Sequence, residues 1–184
     1  MLDRREALEF LSLSGLAALA WPGRSEAASG GEIDAGVHHT LRVFVRQVGG
    51  ARELLDRSAA VLVFPTVIKA GMGVGGEYGE GALLVRGRTV GYYNTVSASI
   101  GFQLGAQARS VIIAFMTHEA LDGFRRVAGW KIGVDGSVAL INVGVGGSID
   151  TSKIASPIVG FIFDGKGLMY NLTLEGSKIS RISR

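Results

Sequence analysis

The chain reads as α+β: N-terminal helices, then a glycine-rich, largely antiparallel sheet that curls or closes into a barrel, with one further helix. Three observations predict this. Apolar residues recur at helical spacing in three stretches, Val37-Leu41-Phe44-Val45-Val48, Leu54-Leu55-Ala59 and Leu121-Phe124-Val127. Elsewhere the period falls to two, or the apolar residues come in short runs. Finally, 28 glycines against 3 prolines call for bends and close backbone approaches in the strands.

The elements follow in order. Residues 1–27 have secretory-signal anatomy. Arg4-Arg5 precede an apolar run from Phe10 to Trp21, which is too short to span a bilayer, and Ser25-Glu26-Ala27 offers small residues at a cleavage site. The paired arginines resemble a twin-arginine signal. Residues 28–36 read as a small polar linker and 37–184 as one domain. Gly49-Gly50 interrupts the first helix, and the pattern resumes from Arg52 to Ala60, giving a helical hairpin or a kinked helix. VLVF at 61–64 is strand-like and bounded by Pro65. ALLV at 82–85 and TVGYYN at 89–94 flank Arg86-Gly87-Arg88, a hairpin turn. Residues 97–108 alternate strictly and predict a long strand with Ala98, Ile100, Phe102, Leu104, Ala106 and Ala108 on its apolar face. VIIAF at 111–115 predicts a buried strand. Thr117 caps a helix that Gly129 stops. Further strands are expected at 137–145, 157–163, 168–174 and 178–182.

Composition narrows the function. Mean hydropathy of +0.32 with 19% charged residues is too apolar for a disordered chain and too interrupted for a multi-span membrane protein. The absence of cysteine removes disulfides, thiolate zinc sites, cysteine nucleophiles and a lipidated N-terminal cysteine. The net charge is +3. Three arginines and four acids fall within 1–27, so the remainder holds 16 basic and 12 acidic residues, net +4.

Several motifs suggest chemistry that their context does not support. Gly71-Met72-Gly73-Val74-Gly75-Gly76 fits G-x-G-x-x-G, but strand-like residues follow it and no acid occurs between Glu80 and Glu119. The pyrophosphate-binding helix N-terminus is missing, so the glycines are read as a bent strand or bulge without nucleotide or other cofactor. Ser97 or Ser99 with His118 and Asp122 makes a triad only on paper, because no nucleophile elbow surrounds either serine. His38 and His39 point about 100° apart on a helix, a poor arrangement for a shared metal. Glu77 and Glu80 read as solvated carboxylates on a glycine-rich turn. The chain is read as non-enzymatic, and no module for nucleic acid is present.

From Val61 to Ile182 the chain resembles a known family. The runs VLVFPTVIKAGMGVGGEYGEGALL, GYYNTVSASIGFQLGAQ, FMTHEALDGF, GWKIGVDGSV and GFIFDGKGLMYNLTLEGSKISRI are similar, in this order, to the bacterial form of the lipid-binding SYLF domain. The combination of Phe64-Pro65, Gly75-Gly76-x-Tyr78-Gly79-Glu80-Gly81, Tyr92-Tyr93-Asn94 and Gly176-Ser177-Lys178-Ile179 carries the resemblance. It implies a compact α+β domain without known enzymatic activity. Eukaryotic relatives bind phosphoinositide-rich membranes, partly through an N-terminal amphipathic helix, and some act with actin and SH3 modules. Bacterial relatives are exported envelope proteins, some of them lipoproteins. The expected partner is an anionic phospholipid surface peripheral to the periplasmic or envelope membrane. The alternative is an envelope structural or protein-interaction module without lipid specificity.

Headgroup contact is expected at Lys69, Lys178, Arg181 and Arg184, of which Lys69 and Lys178 fall in the family motifs. Arg42 and Arg46 flank the apolar stripe of residues 37–48. That helix either lies in the membrane interface or docks on the sheet, and a small domain's need for core area favours docking. The signal reading makes a prediction of its own. Substituting Arg4→Lys with Arg5→Lys abolishes the mature-size periplasmic band in fractionated cells, and undiminished export contradicts the twin-arginine route.

Overall fold

The computed structural model describes residues 27–101, 107–141, 147–164, 167–168 and 174–184. The sequence expectations at 1–26, 102–106, 142–146, 165–166 and 169–173 lie outside them.

Helix α1 spans Gly30–Gln47 and begins inside the stretch read as a linker. Its start is a capping box. The Glu32 backbone N–H donates to Ser29 Oγ at 3.3 Å, and the Ser29 backbone N–H donates to Glu32 Oε2 at 2.8 Å. The Ser-Gly-Gly-Glu spacing carries that signature, and it outweighs the two glycines that suggest a linker. Ile33, Val37, Thr40 and Phe44 are buried on one stripe. Gly50, at φ 75°, breaks the chain before α2 (Ala51–Arg57). A Cβ there would lie 2.3 Å from the Ile149 carbonyl oxygen, so only glycine fits.

The sheet begins with β1, a single strand of 26 residues from Ala60 to Val85. The two short strands expected at 61–64 and 82–85 are its ends. Its second half pairs antiparallel with β2 (Arg88–Gly101), joined by a two-residue turn in which Arg86 and Gly87 both have positive φ. Its first half pairs antiparallel with β3 (Gln107–Phe115). The G-x-G-x-x-G run is strand throughout, and β1 folds back on itself across it. Cβ atoms at Gly79 and Gly81 would lie 2.8 Å and 2.0 Å from the carbonyl oxygens of Thr66 and Val63. The glycines therefore serve close backbone approach.

Helix α3 (His118–Arg126) follows, capped by Thr117 as expected. Then come β4 (Trp130–Lys131), β5 (Ala139–Leu140), a 3₁₀ turn at Thr151–Lys153, β6 (Ile158–Asp164), β7 (Gly167–Leu168) and β8 (Lys178–Ile182). The sheet order is β4-β8-β2-β1-β3-β6-β5, with β7 paired to β6. All pairings are antiparallel except β5 with β6, so the sheet is mixed, and it curls into a half-barrel. Of the strand expected over 137–145, only Ala139–Leu140 is strand among the described residues.

Both faces of the sheet are covered. Val61, Val63, Ala82, Leu84, Ile112, Ala114, Phe161 and Phe163 pack with α1 and α2. Phe44 meets Phe161 with ring centroids 4.9 Å apart. On the opposite face Leu62, Phe64, Leu83, Tyr93, Val111, Ile113 and Phe115 pack with Leu121, Phe124 and Trp130. Two-sided burial is why VLVF and VIIAF read as unbroken apolar runs.

The alternating segment 97–108 departs from expectation. Among its described residues, 97–101 belong to β2 and 107–108 to β3, and Ala98 and Ala108 of its apolar face are exposed while Ser97 is half-buried. The inward side is occupied by charge, as described below.

Two glycines predict opposite stability changes. Gly81→Ala drives a Cβ into Val63 and costs about 1–3 kcal/mol. Gly123→Ala, in α3 with open space around it, gains roughly 0.5–1 kcal/mol. Urea denaturation of both variants measures the pair.

Candidate functional site, a basic groove

A groove of about 750 Å³ opens between the C-terminal end of α3 and strand β8. Its floor is aromatic. The rings of Tyr93 and Phe124 lie 5.1 Å apart, and Trp130 packs edge-on against Phe124 at 5.4 Å. Its rim carries Arg125, Arg126, Lys178 and Arg181, with Val90 and Val127 beside them. All four cations are exposed. None lies within ion-pairing distance of a carboxylate among the described residues, and no carboxylate lines the groove.

Local structure places each cation. Arg125 and Arg126 lie in the last turn of α3, where the free helix carbonyls favour positive charge. Gly129, at φ 72°, turns the chain into β4, and Lys178 lies across it: a Cβ there would meet Lys178 Cε at 2.4 Å. Arg181 lies over Gly91 in the same way, its Nε 3.5 Å from where a Cβ would sit. Two glycines thus leave room for the cation stems to lie along the backbone.

The structure separates the cations expected from sequence. Lys178 and Arg181 share the groove. Lys69 lies 3.8 Å from Glu77, which also forms a buried ion pair with Arg109. Arg184 pairs with Glu80. Arg42 and Arg46 are exposed on α1, away from its buried stripe. That stripe is core, so the helix docks on the sheet and does not present its apolar side to a membrane.

Glu77 and Glu80 are not a solvated pair on a turn. They lie in β1 with side chains about 10% and 11% exposed. Glu77 faces the α3 side with Arg109, Thr95 and Ser177, and Glu80 faces the α1 side. Each is paired with an arginine distant in sequence, Glu77 with Arg109 and Glu80 with Arg184. The spacing of Arg109 with inward-facing Val111 and Ile113 is the signal for its burial. Arg125 and Arg126 read from sequence only as helix-end charges, because nothing local places β8 beside them.

The paper triad does not assemble. Ser97 pairs with Glu77 across β1 and β2, while His118 and Asp122 are exposed on α3. No hydrogen bond joins them among the described residues. His38 and His39 are both exposed, and no group of three metal-ligating side chains occurs among the described residues. Burial pushes the Glu80 carboxyl up, but hydrogen bonds from Tyr78 and Arg184 outweigh it and hold the group below the usual carboxylate range.

Residues 96–183 match the family model described as Las17-binding protein actin regulator. This stretch contains Lys178, Arg181, Arg125 and Arg126 and begins within β2, after the end of β1. The search of curated proteins found no match.

The lowered Glu80 pKa sets a pH dependence. The pair contributes stability above the unfolded value of 4.5, and that stability is lost as pH falls through the lower folded value. Glu80→Gln removes this contribution at neutral pH and flattens the acid limb below about pH 4.5. Thermal melts of both proteins between neutral and acid pH measure it, and an unchanged acid limb contradicts the assignment.

Proposed function

We propose, on the premise that residues 96–183 make this chain a SYLF-domain protein, that it docks on an anionic phospholipid surface through the basic groove. Family membership points to a lipid-binding or actin-regulator-related role in a domain that is generally non-catalytic. The finer reading is our own: an exported, non-enzymatic domain that binds reversibly at an envelope membrane. The signal-like anatomy of residues 1–27 supports the location.

One observation carries the choice of ligand. Four cations from two elements distant in sequence converge on one groove that no carboxylate lines among the described residues, beside exposed valines. Ordinary surface charge is mixed in sign, and an unbalanced cluster raises the local concentration of anions. Near a negatively charged leaflet each cation is worth about 1 kcal/mol. Lys69 and Arg184 are engaged internally, so the binding role is assigned to Lys178 and Arg181 together with Arg125 and Arg126.

Replacing Arg126 and Lys178 by Gln removes about 2 kcal/mol of binding to phosphatidylglycerol-containing vesicles, or roughly thirtyfold in affinity. The Arg42→Gln, Arg46→Gln protein binds like wild type. Co-sedimentation at two salt concentrations measures both, with binding weakened by salt. Wild-type protein that ignores anionic vesicles overturns the lipid reading.

A further inference from the structure

On the α1 side of the sheet, the helix covers only part of the surface. Its N-terminal turns reach Pro65, which a Cβ at Gly36 would meet at 3.1 Å. Beyond that point three large apolar side chains stand exposed: Ile68 at 49%, Tyr78 at 48% and Val96 at 47%. Register shows that they share one face. Tyr78 is directly opposite Val96, and Ile68 is opposite the exposed Ala108. Alternation from Val61, Val63, Ala82 and Leu84 puts all of them on the α1 side, with allowance for the register shift between Phe64 and Val67.

The row continues into charge. Val96 is opposite Lys178, and Lys178 is opposite Lys131. Tyr78, Val96, Lys178 and Lys131 thus form one cross-sheet row on four strands: aromatic, aliphatic, cationic, cationic. All four are exposed. Two acids border this face: Glu80 is paired with Arg184 and accepts from Tyr78 Oη at 2.5 Å, and Glu32, which lines the same groove as Ile68 and Tyr78, accepts from Ser29 in the α1 capping box. Lys178 also belongs to the basic groove, so the apolar row and the groove are continuous.

We infer that this face is a bilayer-contact surface, with Ile68, Tyr78 and Val96 at the headgroup–acyl boundary and Lys178 and Lys131 at the phosphates. It rests on the lipid reading above and adds how the domain engages the bilayer. A shared face of exposed apolar side chains marks an interaction surface, whereas single ones do not. The occupant follows from charge complementarity. Apolar side chains with a tyrosine, edged by lysines that have no carboxylate partner among the described residues, suit a surface that is apolar beneath and anionic above.

The chain contains no cysteine, so a single introduced thiol reports one position. Val96→Cys and, as a control, Asp56→Cys on exposed α2 are labelled with an environment-sensitive fluorophore. They are mixed with vesicles of phosphatidylcholine and phosphatidylglycerol. The expected result is a blue shift at 96 that is quenched by spin-labelled acyl chains, with none at 56. Ile68→Ser with Val96→Ser lowers vesicle affinity about tenfold and leaves the salt dependence unchanged. Vesicle binding without a shift at 96 overturns this inference and leaves the lipid reading standing. Failure to bind vesicles overturns both. A shift that grows with protein concentration in the absence of vesicles gives the face to a second copy of the chain and also overturns it.

Discussion

The backbone of β1 doubles back with Gly79 and Gly81 pressed against Thr66, Val67 and Val63, and the rest of the sheet is arranged around that contact. A side chain at either glycine would hold the two halves apart. With them together, one 26-residue strand pairs with β2 along one half and β3 along the other. Strands β8 and β6 then add outside these partners. The curvature follows from the fold-back, and it gives the sheet two faces that each need cover.

Helices α1 and α2 supply one cover, and α3 with Trp130 supplies the other. Neither reaches the glycine-rich end of the ribbon. There the α3 side holds the buried Glu77–Arg109 pair, with Arg109 Nε lacking a hydrogen-bond partner among the described residues. A buried pair of this kind is weak support for net stability, but removing one partner is costly because the other stays behind as an uncompensated charge. The opposite side at the same end carries the exposed Ile68, Tyr78 and Val96.

Charge is sorted along with the faces. Arg109, Lys69 and Arg184 are spent on Glu77 and Glu80. Arg125, Arg126, Lys178 and Arg181 keep no carboxylate partner among the described residues, and all four meet at the groove where β8 lies beside the end of α3. This group of four cations therefore lies next to the uncovered apolar row through the shared Lys178. A single membrane-facing region built from charge and apolar surface is the reading that unites them.

The sequence by itself determined the local elements. Helical periodicity and the Thr117 cap located α1 and α3. The Arg86-Gly87 turn located the β1–β2 hairpin, and the apolar runs marked strands buried on both faces. These depend on neighbours a few residues away, so the pattern records them. The family resemblance was also legible, through motifs that span β1 to β8. What the sequence left open was decided at long range. The fold-back joined two apparent strands into one, and the pairing of β8 with β2 brought residues 178–181 beside residues 125–129. The identity of each free or neutralised cation depended on partners such as Arg184 and Glu80, which are far apart in the chain. The apparent linker was the exception, since its capping box was local but looked like a polar, glycine-rich joint until Ile33 had a sheet to pack against. Burial and ion pairing are properties of the assembled faces, and only the tertiary structure fixes which residues share a face.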